Sequence, residues 1–139
     1  MSFSVGNTGL AVYNPQNDAG SSANKIIIPR INLTTWKSRS VLLHECVHAI
    51  QDVKGLTLDR VRPEAAAYLA QNIYHRLATG RHVHDSSPTA RAIHEKADPL
   101  AQKVIASPNP TFSEAEMLAF ETAIRAAGYR TEDVNFDGL

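Results

Sequence analysis

The sequence predicts an α+β fold, mainly helical, with a small N-terminal β-sheet or edge strand placed before its first helix. Three observations predict it. Lys25-Ile26-Ile27-Ile28-Pro29-Arg30-Ile31-Asn32-Leu33 is rich in β-branched residues, and Pro29, which cannot donate to a ladder, assigns it to an edge or a bulge. Residues 36–53 form an apolar stretch with helical spacing, stopped by Gly55. Later stretches have the same period, and prolines and glycines punctuate them. The 139 residues suit one domain, 1–139, large enough for its own core, with a functional centre over about 25–80 and helices over 88–127 behind it.

Residues 1–24 are rich in Gly, Asn and Ser, with Leu10-Ala11-Val12-Tyr13 a short strand between turns. After the strand at 25–33, Thr34, Thr35 and Ser38 are candidate caps for the first helix. A second helix covers about 63–79: Pro63 suits a first turn, the alanines extend it, and Gly80 ends it. Ala66, Ala70, Ile73 and Leu77 give it an apolar stripe. Arg81-His82-Val83-His84-Asp85 reads as a loop. A third helix is expected at 88–97, broken or kinked at Asp98-Pro99 and continuing through Ile105, with His94 at the surface. Ser113 and Glu116 form a capping box that opens a fourth helix to Ala127, with Gly128 as its stop. Its stripe of Met117, Phe120, Ile124 and Ala127 is expected to pack on the first two helices. Asp133-Val134-Asn135-Phe136-Asp137-Gly138 matches the first half of a calcium loop but lacks the closing glutamate, and reads as a solvated acidic terminus.

Fourteen basic residues balance fourteen acidic ones, so no overall charge draws the chain to nucleic acid or to an anionic membrane. No apolar run reaches the length of a membrane span. The single cysteine, Cys46, cannot form an intramolecular disulfide and reads as a small buried hydrophobe. The first residues lack the basic and apolar regions of a signal peptide, which predicts a chain that is cytoplasmic as made or exported by a route needing no cleaved signal.

The chemistry concentrates in His44-Glu45-Cys46-Val47-His48. Histidines four apart project from one helix face and can hold one zinc ion from the same side, with Glu45 beside it as general base. Such an ion needs a third ligand, and Glu64 is the best placed. The rival is His82-x-His84, whose rings face one way only if the segment is extended. Asp52, four beyond His48, either receives a hydrogen bond from its second ring nitrogen or is an ordinary helix-surface charge. Glu64, Tyr68, Gln71 and His75 share one face of the second helix and look like the other wall of a site.

His44-Glu45-x-x-His48 followed by Glu64 resembles the gluzincin branch of the zincin metallopeptidases. Glu64-x-x-Ala67 with Tyr68 next also resembles short zincin domains of bacterial effector and polymorphic-toxin proteins. The resemblance covers about residues 25–80. It implies zinc as cofactor, His44, His48 and Glu64 as ligands, Glu45 as catalytic base, and a peptide or protein substrate cleaved at an amide bond. It also implies an edge strand beside the active helix, and, for an effector, an inhibitor or immunity protein as partner. Thermolysin-like members carry an aspartate where this chain has Tyr68, and their ligand spacing is longer. Tyr68, and after it His75, are the candidates for stabilising an oxyanion. Two alternatives stay open: a catalytically silent zincin-like module that binds a partner, and a metal-free helical interaction domain.

Overall fold

A computed structural model describes residues 33–54 and 61–128; beyond these it gives only the backbone pairing of a few short segments. The described chain folds as four helices: α1 (Trp36–Val53), α2 (Val61–Thr79), α3 (Pro88–Ala106) and α4 (Glu114–Ala126). No strand occurs among these residues, so the α+β expectation is corrected to an all-helical described part whose core is made by helix faces. The β-branched run 25–33 carried the α+β expectation, whereas the core of the described residues is built from helix faces alone. In the backbone pairing, moreover, Lys25–Pro29 lies between Ser2–Gly6 and Val12–Asn14, a middle position rather than an edge. The acidic tail at 133–138, and the side chains of 25–32, lie outside the described residues.

The helix ends follow local chemistry. Thr35 caps α1, its hydroxyl oxygen accepting from the Ser38 backbone N–H at 3.1 Å. Ser113 and Glu116 form the expected reciprocal capping box on α4. α3 runs as one helix through Pro99, so of the expected break or kink the break does not occur. A proline inside a helix costs about 3 kcal/mol, and here tertiary contacts offset it. Ala97, Leu100 and Ala101 around it are buried, and the Asp98 carboxylate accepts from Arg76 Nε and Nη2 at 2.8 and 2.7 Å and from Gln102 Nε2 at 2.8 Å.

α2 is the central element. One side packs on α1, the other on α3 and α4. The main core joins Val61 and Ala65 of α2, Ile93, Ala97 and Leu100 of α3, and Phe120 and Ile124 of α4, with Tyr68, Leu69 and Met117 packed against them. α4 therefore rests on α2 and α3 and not on α1. The expected stripe on α2 is also corrected: Ala66 and Leu77 are exposed. A helix with neighbours on two sides buries two faces, so polar Gln71 and Asn72 lie inside while Leu77 falls on the open side.

Asn72 is fully buried, and its amide nitrogen donates to the Tyr68 carbonyl at 2.7 Å and to His94 Nδ1 at 3.0 Å. His94 is thus buried on α3, not at the surface. Burial pushes its imidazole down to about 4, against the pull of the Asp85 carboxylate; the charges of His44, Lys37 and His75 push the same way as burial. The Asn72 amide adds a steric reason, since a donor facing Nδ1 leaves no room for a proton there.

Two outcomes follow for stability. Phe120→Ala should cost about 3–5 kcal/mol in denaturant unfolding, the usual cost of emptying a packed aromatic site. A histidine with a depressed folded value is neutral when folded and protonated when unfolded between the two values. Stability should therefore fall by up to about 1.4 kcal/mol per unit as the pH drops from about 6.5 toward 4. His94→Gln should flatten that slope above the carboxylate range, and an unchanged slope would show that His94 is not its source.

Candidate metal centre

α1 and α2 run antiparallel, and the pairing brings the motif to the start of α2. Trp36 meets Tyr74, with ring centroids 6.5 Å apart, His44 meets Tyr68 at 4.6 Å, and Gln51 meets Pro63. Between the last two pairs the His44 and His48 rings face Glu64. The distances are 3.2 Å between the two Nε2 atoms, 3.3 Å from His44 Nε2 to Glu64 Oε2, and 3.5 Å from His48 Nε2 to Glu64 Oε1. His44, His48 and Glu64 form a group that can hold a metal ion.

The fit can be tested on these lengths. Imidazole nitrogens about 2.0–2.1 Å from a tetrahedral ion lie about 3.4 Å apart, close to all three separations. The hydrogen bonding points the same way. Glu64 Oε2 is buried and has no hydrogen-bond partner despite its nearness to His44. Orphaned buried oxygens are costly, and a cation in their midst removes the cost.

Gln51 fixes the state of His48. Pro63 O can only accept, so the Gln51 amide nitrogen faces it at 3.3 Å. The Gln51 oxygen must then face His48 Nδ1, 3.1 Å away, and that nitrogen carries the hydrogen. In the neutral ring this leaves the Nε2 lone pair directed to the cluster, as a metal ligand requires. From sequence, Asp52 is the candidate for this role, with an ordinary helix-surface charge as the alternative. That residue is fully buried in α1, but the partner on His48 Nδ1 is Gln51. The missed signal was valence: an amide donates and accepts, so it can join a ligand on α1 to the chain just before Glu64, whereas a carboxylate cannot.

Without a metal, the three groups perturb one another. Burial alone would raise the Glu64 carboxyl, but the His44 and His48 imidazoles hold it down to about 2. Burial depresses His48, and Glu64, Gln51 and Glu45 together outweigh it and raise the ring above its ordinary value. Glu45 follows His44 on α1 and is half-buried. Burial and the Glu45 charge push the Cys46 thiol up, so it stays protonated and apart from the cluster.

Of the other expected residues, Tyr68 is at the site, its ring edge-on between His44 and His94. His75 shares the face of Glu64 but lies about 16 Å further along α2, where its Nδ1–H donates to the Arg81 carbonyl at 3.1 Å. It is thus not part of this centre. His82 and His84 are exposed, as their loop position predicts, and do not join the cluster.

Gln51→Ala should lower metal affinity about 10- to 100-fold, the usual effect of losing a partner behind a histidine ligand. Competition with a chromophoric chelator would measure it, and an unchanged affinity would mean that the amide does not orient His48. None of the described helices is long and apolar enough to cross a membrane. No family model matches the chain, and neither a curated protein nor a solved structure matches it.

Proposed function

We propose that His44, His48 and Glu64 hold a zinc ion and that the chain hydrolyses peptide (amide) bonds, with Glu45 as the general base. The observation that carries this reading is the convergence of two imidazoles and one carboxylate, at tetrahedral-edge distances, beside a glutamate between the two histidines in sequence. Two nitrogens and one oxygen with a fourth position open is the donor set of catalytic rather than structural zinc sites, in the manner of gluzincins. Zinc so held supplies Lewis acidity and makes a water molecule acidic near neutral pH.

The chain's own residues do the rest. Glu45 takes the proton from the attacking water as its oxygen bonds to the carbonyl carbon. It then delivers that proton to the nitrogen as the C–N bond breaks. The Gln51 amide holds the His48 ring in its ligand tautomer. Tyr68 walls the His44 ring, and its phenol is the candidate for donating to the developing oxyanion.

Glu45→Gln separates chemistry from metal binding. On a quenched fluorescent peptide library, turnover should fall about 10²–10⁴-fold, the range for loss of a general base, while zinc content is retained. Undiminished turnover in that variant would overturn the mechanism.

A further inference from the structure

A second polar concavity lies at the other end of the α1–α2 pair, and the metal centre does not use it. It is a cavity of about 510 Å³ lined by Trp36, His75, Thr79, Arg81, His82 and His84. Trp36 opens α1, so the cavity is about 12 Å along that helix from His44.

Its walls are fixed by the turn that follows α2. Gly80 adopts φ +71°, a conformation that suits glycine, and its N–H donates to the Arg76 carbonyl at 2.7 Å. The Arg81 N–H then donates to the Thr79 hydroxyl at 3.1 Å, and the His75 Nδ1–H to the Arg81 carbonyl at 3.1 Å. Lys37 ties the loop to α1 by donating to the His84 carbonyl at 3.2 Å. Residues 81–84 are thereby held back over the end of α2.

The composition of this corner is one-sided. Among the described residues, no carboxylate lines the cavity. The lining offers a guanidinium, three imidazoles, a hydroxyl and an indole. The nearby acid, Asp85, is taken up by Lys37 at 3.0 Å and by the Ser87 N–H at 2.9 Å. The first turn of α1 has no acidic residue and carries Lys37 and Arg39 instead. A helix start ordinarily attracts acids, so basic residues there leave a positive corner on a chain of zero net charge. The three imidazoles do not bring their nitrogens together as the metal centre does. Separate donors around a hollow suit a ligand with several acceptor oxygens rather than a bare cation.

We propose that this cavity binds an oxyanion, a phosphate or carboxylate group of a small ligand, held by Arg81 and the imidazoles of His82 and His84. Trp36 is the chain's single tryptophan and lines the cavity, so its fluorescence reports on this corner of the molecule. Chelator-treated full-length protein would be titrated at constant ionic strength with inorganic phosphate and, separately, with citrate. Removing the metal makes the result independent of the proposed hydrolase.

The expected result is a saturable change in Trp36 emission with one or both anions, and the anion that saturates identifies the group. Arg81→Ala should weaken it roughly tenfold or more, as loss of a charge-assisted hydrogen bond entails, and His84→Ala should weaken it as well. Circular dichroism would verify that these surface-loop variants keep their helices. A non-saturating response to both anions, or the same half-saturation in Arg81→Ala, would overturn the proposal. So would quenching by stoichiometric zinc that His84→Ala abolishes, with no response to either anion.

Discussion

The antiparallel contact between α1 and α2 places a largely buried carboxylate against one buried and one largely buried imidazole, and the site and much of the fold depend on that juxtaposition. Three titratable groups with side chains at most 17% exposed are expensive to take out of water. In the metal-free chain the cost is met partly by mutual polarisation, which drives Glu64 down and His48 up. A divalent cation meets it more completely, since all three groups can then present lone pairs to one centre. Gln51 makes the arrangement directional by setting the tautomer of His48 from α1 and gripping the backbone that leads into Glu64.

The remainder of the described bundle holds α2 in place. Its second face is clamped by the apolar core shared with α3 and α4 and by the forked Arg76–Asp98 pair. The buried Asn72–His94 hydrogen bond lies directly behind Tyr68, whose ring touches His44. A continuous packed path therefore runs from α3 through Tyr68 to His44. Rigid support of this kind keeps donor atoms within the few tenths of an ångström that metal coordination tolerates.

The convergence of His44, His48 and Glu64 was legible from sequence because two local rules suffice. Residues four apart share a helix face, and a short connection makes consecutive helices antiparallel neighbours. The bounds of α1 and the capping box at Ser113 were legible for the same local reason. What failed was tertiary. Ala66, Ala70, Ile73 and Leu77 are a sound apolar stripe on an isolated helix, but α2 has partners on two sides, and Leu77 ends at the surface while Asn72 is buried. Pro99 should interrupt a free helix, yet burial of its neighbours carries α3 through it. The β-branched run at 25–33 signalled an edge strand and an α+β class, whereas the described part of the chain is helix packed on helix. His75 matched the face of Glu64 in angle but not in distance, a difference that helical periodicity alone hides.

The central claim is that these three side chains form one metal site, and equilibrium metal content tests it most directly. Full-length protein dialysed against trace zinc should retain a single ion per chain by elemental analysis, and Glu64→Ala under the same treatment should lose most of it with its helical circular dichroism intact. Wild-type protein without bound metal, or a folded Glu64→Ala variant that binds zinc as tightly as wild type, would contradict the account.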